Sequence, residues 1–225
     1  MLNPEAENIV AEARPRGWVM EPEALRLLEL AEVPVPRFAW ARSRAEALEA
    51  ADRIGYPVVA KVVSPQILHK SDVEGVRPGI ADGGALAAAF ERFSRLPGFE
   101  GAVVAEMLSG RELIVGAKND FQFGPVILMG IGGTAVEIYQ DTATRMAPLR
   151  ASDVQSMLDC LRGRRLLTGH RGFASINIAK LTAMALRFSE LVMALGDRID
   201  SIDLNPVFCS PERCVVADAR IVLSR

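Results

Sequence analysis

Lys61 stands in the run Val58 to Val63, where every neighbour is Val or Ala. An ammonium in such a strand needs an opposing charge or loses its proton, so an anion is expected to face it. A polar stretch follows, with His69, Lys70, Ser71 and Asp72 ahead of Gly75. Cations and backbone N–H groups stabilise phosphates, and a glycine lets the chain approach them closely. Lys61 and this loop therefore read as a phosphate site. The alternative is a lysine that snorkels to solvent beside an ordinary polar loop.

A second constellation lies near the end of the chain. Ser210, Pro211, Glu212 and Arg213 form a turn signal between two apolar runs, which predicts a hairpin over Ile199 to Leu223. With the turn centred between Pro211 and Glu212, Asn205 falls opposite Asp218. Opposed residues hold their Cβ atoms roughly 4.5 to 5.5 Å apart, close enough to share one divalent ion. An amide oxygen and a carboxylate are hard ligands suited to magnesium with phosphates completing its shell. Asp203 faces the same way. The alternative is an Asn–Asp hydrogen bond on a solvated face. Cys209 and Cys214 also come opposite one another, and read as two buried thiols.

These residues need elements to position them. Met20 to Ala31, with Ala24, Leu27, Leu28 and Ala31 at helical spacing, predicts an amphipathic helix. Val33 to Trp40, carrying Pro34 and Pro36, suits an edge strand. Ser43 with Glu46 makes a capping box for a helix to Ile54. A strand near Val76 to Ala81, a helix from Gly84 to Arg95 and a strand Ala102 to Met107 follow. Arg111 to Lys118 alternates so that Leu113, Val115 and Ala117 share one face, leaving Glu112, Ile114 and Lys118 on the other. Pro125 to Met129 reads as a buried strand entering Gly130, Gly132 and Gly133, a turn that could also touch a ligand. A strand around Val136 to Tyr139, a helix capped by Ser152, a basic loop with an exposed His170, and a long helix from Ala174 to Leu195 complete the order. The expected organisation is a loose arm at 1–19, a small lobe at 20–107 and a large lobe at 108–225, each lobe a sheet with packed helices.

Half of the 225 residues are hydrophobic, enough for a real core, and the net charge is -2. That balance excludes a nucleic-acid binder working through a broad basic face but leaves room for small anions in a local pocket. The apolar runs are too short for a bilayer span, and MLNPEAENIV lacks the basic and apolar regions of a signal peptide. Three cysteines without CxxC spacing fit a reducing compartment and give no zinc site. A cytoplasmic location is expected.

Taken together, GYPVVAKVVSPQILHKSD, VAEMLSGRELIVGAKNDFQFGPVILMGIGG, DTATRMAPL, LLTGHRG and IDLNPVF followed by ADARI resemble the ATP-grasp module of ADP-forming acyl-CoA synthetases, specifically the beta subunit of ADP-forming acetate–CoA ligases. The resemblance runs from about Met20 to the end, with the motifs in order. It implies an α/β (α+β) fold of two lobes with mainly antiparallel sheets and the nucleotide in a cleft. It also implies that Lys61 binds ATP phosphates, that Glu106, Met107 and Leu108 form the adenine hinge, and that Glu112 takes the ribose. Asn205 and Asp218 would hold Mg2+, and His69 would carry a phosphoryl group to and from the partner. ATP/ADP and Mg2+ are the cofactors so implied. Because 225 residues hold no CoA-binding or ligase domains, an alpha subunit carrying them is expected, in an alpha2beta2 assembly.

This sequence departs from the family pattern in three places: Glu74 stands where glycine is usual, Pro78 falls within the next strand, and Asn177 replaces an acidic residue. The leading expectation is an enzyme interconverting acyl-CoA, ADP and phosphate with acid, CoA and ATP. The other is a nucleotide-sensing module, related to acyl-CoA synthetase-like acetyltransferases, that does not turn over.

Overall fold

A computed structural model describes residues 2–67, 69–133, 141–169 and 174–224 of the protein. In chain order its elements are α1 (Pro4–Ala13), β1 (Trp18–Val19), α2 (Glu21–Leu30), β2 (Phe38–Ala41), α3 (Arg44–Ile54), β3 (Val58–Val63), β4 (Val76–Ile80), α4 (Gly83–Phe93) and β5 (Gly101–Glu106). There follow β6 (Arg111–Asp120), β7 (Gly124–Ile131), β8 (Thr142–Met146), α5 (Ala151–Cys160), α6 (Arg164–Thr168), α7 (Ile178–Leu195), β9 (Ile199–Cys209), β10 (Cys214–Val216) and β11 (Ala219–Leu223). They cluster into two units: Met20–Pro22 with Pro36–Leu108, and Met1–Val19 with Glu23–Val35 and Ser109–Arg225. No helix among the described residues is long and apolar enough to cross a membrane.

The unit holding Pro36–Leu108 is built on a four-stranded antiparallel sheet in the order β2-β5-β3-β4. Val58, Ala60 and Val62 of β3 pack with Ala47, Ala51 and Ile54 of α3 and Leu86, Phe90 and Phe93 of α4. Alternation along a strand then sends Lys61 to the opposite face. Helix α3 starts where expected, with Ser43 Oγ accepting the Glu46 N–H at 3.2 Å. The return bond reaches one residue further back, the Arg42 N–H donating to Glu46 Oε2 at 2.8 Å. Pro78 does not interrupt β4. Val58 pairs with Ile80 but Ala60 with Arg77, so a bulge absorbs one residue, with Gly79 at φ 68. Because β4 is the sheet's edge, a missing N–H there is tolerated.

The second unit contains a seven-stranded sheet in the order β1-β11-β9-β6-β7-β8, with β10 pairing β9. Leu113, Val115 and Ala117 of β6 are buried, as the alternation predicts. Helix α7 buries Leu181, Met184, Ala185, Phe188, Leu191, Val192 and Leu195, the stripe expected of 3.6 periodicity. It begins later than expected because Asn177 caps it, Oδ1 accepting the Lys180 N–H at 3.0 Å. Helix α5 begins earlier than expected. Its N-cap is Arg150, whose N–H donates to Asp153 Oδ2 at 2.8 Å, so Ser152 lies inside the helix. The strand expected at 136–139 and His170 lie outside the described residues.

The loose arm expected at the N-terminus is a helix. Asn3 Oδ1 caps α1 by accepting the Ala6 N–H at 2.8 Å, and Pro4 occupies a first-turn position that needs no donor. Ala6, Val10 and Ala13 are buried at helical spacing. Glu5 pairs with Arg26 at 2.7 Å and Glu7 with Arg198 at 2.5 Å. Two of the three buried residues are alanines, and the flanking Arg14, Pro15 and Arg16 read as a polar linker, so the stripe is faint in the sequence.

Candidate functional site

The anion that Lys61 demands is supplied by the chain. Lys61 Nζ donates to Glu21 Oε1 at 2.6 Å, and Lys70 Nζ donates to Glu21 Oε2 at 2.5 Å. Glu21 is 5% exposed and Lys61 6%, so this is a buried, charge-assisted contact. Glu21 opens α2 and groups with the unit that contains both lysines. Sequence reasoning missed it. An acidic residue in the first turn of a helix is ordinary, and Glu21 is separated from Lys61 by 40 positions.

Between these lysines runs the polar loop, held at several points. Ser64 is buried, its Oγ donating to the Pro97 carbonyl at 2.6 Å and accepting the Gln66 N–H at 3.1 Å. Ile67 joins the hydrophobic core and Val73 packs against it. Lys70–Val73 is a short 3-10 turn that ends at Glu74 with φ 50 and ψ 34. That left-handed backbone favours glycine. The Glu74 carboxylate forms an ion pair with Arg92. Gly75 must be glycine, since a Cβ there would meet Val62 Cγ1 at 2.5 Å. His69 is exposed between these anchors.

Glu106, Met107 and Leu108, expected to form the adenine hinge, end the same unit. The Glu106 N–H donates to the Arg37 carbonyl at 2.9 Å, and the Glu106 carboxylate lies 3.4 Å from Arg37 Nε. Met107 is 41% exposed whereas Leu108 is buried, so the strand end offers one apolar side chain to solvent and anchors the next.

In the second unit the expected hairpin register is present. Cys214 pairs with Cys209, Ala219 with Leu204, and the Asn205 N–H donates to the Asp218 carbonyl at 3.2 Å. Residues 217 and 218 interrupt the ladder between β10 and β11. On the other side of β9 the pairing shifts between Leu113 and Val115 of β6, so Asn205 and Pro206 sit at a bulge. Pro206 has no N–H to lose there, and bulges re-aim side chains. Asp203 lies opposite Arg220. Crowding around its carboxyl and the Asp218 carboxylate raise Asp203 above the ordinary aspartate value, with Arg220 opposing. Neighbouring carboxylates of this kind are donors whose repulsion a hard divalent cation relieves. Arg220 Nε is buried and finds no hydrogen-bond acceptor among the described residues. No cluster of three or more His, Cys, Asp or Glu side chains able to hold a metal occurs among them either.

Glu112 is exposed on β6, where its carbonyl accepts the Gly132 N–H at 2.6 Å. A Cβ on Gly132 would meet the Glu112 carbonyl carbon at 2.7 Å, so this glycine serves a close backbone approach. Cys209 and Cys214 are buried free thiols. Their mutual hydrogen bond and burial push the Cys209 thiol far up.

A model of the ATP-grasp domain family matches residues 10–223. The ADP-forming acetate–CoA ligase I subunit beta of Pyrococcus furiosus is 39% identical, the match covering 96% of this chain and 95% of that one. The dinucleotide-forming acetyl-coenzyme A synthetase 1 of Candidatus Korarchaeum cryptofilum, in complex with coenzyme A, Ca-AMPCP and HgCl+, superposes with a TM-score of 0.91 at 34% identity, over 97% of this chain and 100% of that one. Another structure of that synthetase, with coenzyme A and Mg-AMPPCP and its phosphohistidine segment pointing towards the nucleotide-binding site, gives 0.87 at 32% identity, over 97% and 100%. Matched by that family model over residues 10–223 and by the beta subunit along nearly its full length, the chain belongs to the ATP-grasp family, among the beta subunits of ADP-forming acetate–CoA ligases.

Proposed function

We propose that this chain is the nucleotide-handling subunit of an ADP-forming acyl-CoA synthetase, interconverting acyl-CoA, ADP and phosphate with acid, CoA and ATP together with an alpha subunit. The observation that carries the reading is His69: an exposed imidazole on a segment anchored through Ile67 on one side and Lys70 on the other. Phosphate displaces CoA from acyl-CoA on the alpha subunit to give an acyl phosphate; a neutral ring nitrogen of His69 attacks its phosphorus, an N–P bond forms, and the P–O bond to the acyl group breaks, releasing the acid. In the second step a terminal phosphate oxygen of ADP attacks the same phosphorus. The N–P bond breaks, leaving ATP and neutral His69.

The remaining roles follow the chemistry of each group. Lys61, a buried cation held by Glu21, would donate to a phosphate oxygen. Glu106, Met107 and Leu108 would take adenine, and Glu112 the ribose hydroxyls. Asn205 and Asp218, with Asp203 beside them, would hold Mg2+, which when bound offsets charge on the phosphates. The alpha subunit would supply CoA binding and the acyl chemistry, in an alpha2beta2 complex. The reading sets the chain in the cytoplasm, a reducing compartment in which neighbouring thiols such as Cys209 and Cys214 stay free.

The test combines the chain with its alpha subunit and labelled phosphate. Wild type is expected to carry acid-labile, base-stable label, the behaviour of phosphohistidine. His69→Ala should lose phosphoryl transfer to ADP while keeping ATP affinity, because adenine, ribose and metal contacts come from other residues. Full turnover and the same label in the alanine variant would overturn the carrier role.

A further inference from the structure

We propose that Glu21 is a positioning residue: its buried carboxylate docks the His69 segment against Lys61, and so sets the position from which the phosphoryl group passes to ADP. The proposal rests on the carrier role of His69 given above. One oxygen of Glu21 takes Lys61 at 2.6 Å and the other takes Lys70 at 2.5 Å. The two lysines differ in what holds them. Lys61 belongs to β3, paired to β4 on one side and β5 on the other, so its backbone is fixed. Lys70 immediately follows His69, in a turn whose His69, Ser71 and Asp72 are exposed. Glu21 thus ties a rigid strand to the residue beside the carrier.

The exposures suggest which tie gives way. Side chains of Lys61 and Glu21 are 8% and 5% exposed, whereas that of Lys70 is 17%. An ammonium nearer water exchanges a carboxylate for a phosphate oxygen more readily than one fully enclosed. The Lys61–Glu21 contact is then the fixed half and Lys70–Glu21 the releasable half. When Lys70 lets go, the turn from His69 to Val73 is released to carry His69 toward the partner. When it returns, His69 is set beside the lysine assigned to the nucleotide phosphates.

A purely structural ion pair would make a different set of predictions. Lys70→Met removes the Lys70–Glu21 contact and leaves Lys61–Glu21 in place; Glu21→Gln removes the carboxylate's charge and one of its two acceptor oxygens, so both lysines lose their counter-charge. With the alpha subunit, loading of His69 from acyl-CoA and labelled phosphate is measured separately from discharge of the labelled chain to ADP. We expect discharge at saturating ADP to slow about tenfold or more, with KM for ADP and the loading rate each within about threefold of wild type. Equal loss of loading and discharge, no loss of either, or a change confined to KM would each overturn the proposal. If Glu21→Gln fails to fold, Lys70→Met alone decides. Hydrogen exchange on the isolated chain gives a readout independent of the reaction: amides of residues 69–75 should exchange about fivefold faster or more in Lys70→Met while those of β5 stay unchanged. Unchanged exchange in the segment would also overturn it. Absence of label on wild-type His69 would instead sink the carrier role, and exchange would still decide whether Glu21 docks the segment.

Discussion

Glu74 shows how one residue can hold a backbone that suits another. Its φ of 50 lies in the left-handed region, and its carboxylate pairs with Arg92 at an exposed site. Such surface pairs contribute about 0 to 1 kcal/mol. Alanine and glycine here both lose the pair, but alanine retains the left-handed strain of roughly 1 to 2 kcal/mol while glycine loses only about 0.4 to 1 kcal/mol through the unfolded chain. Glu74→Gly should therefore be more stable than Glu74→Ala by about 0.5 to 1 kcal/mol, read from the midpoints of urea melts at equal slope. An alanine variant as stable as the glycine one would remove the backbone argument. The same scale explains what was legible in the site. Lys61 announced itself because a lysine among valines demands an anion. Its actual partner, Glu21, carried no such mark, since its meaning depends on a fold that brings the start of α2 to β3.

Elements were legible where a pattern is both long and bounded. The hairpin register follows from a single turn, and counting outward from Pro211 and Glu212 places Asn205 at Asp218, as the Asn205 to Asp218 backbone bond shows. The bulge at Asn205 and Pro206 on the β6 side was hidden, because a bulge changes pairing without changing composition. Helix α1 was misread for the opposite reason: its buried stripe of Ala6, Val10 and Ala13 is short and weakly apolar. Val10 is 6% exposed, so Val10→Ala should cost about 1 to 3 kcal/mol through lost burial and the space left behind. A residue on a loose arm would shift stability by less than about 0.5 kcal/mol. A denaturant melt separates the two, and a Val10→Ala midpoint equal to wild type would restore the arm.

At the scale of the whole molecule, the alternation of strands and helices pointed to an α/β chain, whereas the close strands flanking the His69 loop demanded antiparallel pairing. Both sheets are antiparallel throughout their described ladders. The fold class became legible only when several motifs were taken together, because no single turn or strand distinguishes this architecture. The proposed division between subunits is consistent with charge. The substrates of the proposed reaction are polyanions, and a chain with net charge -2 must meet each of them with a local set of cations. Lys61, held by Glu21, is the cation that the proposal commits to nucleotide phosphates. CoA, a second polyphosphate carrying an adenine, needs its own cations and its own groove, which the proposal gives to the alpha subunit. The isolated chain should therefore bind Mg-ADP, detectable by calorimetry, yet form no ATP from acyl-CoA and phosphate. Adding the alpha subunit should bring turnover that saturates at a fixed ratio of the two chains. ATP formation by this chain alone would mean that it holds a CoA site, and would overturn the division of labour.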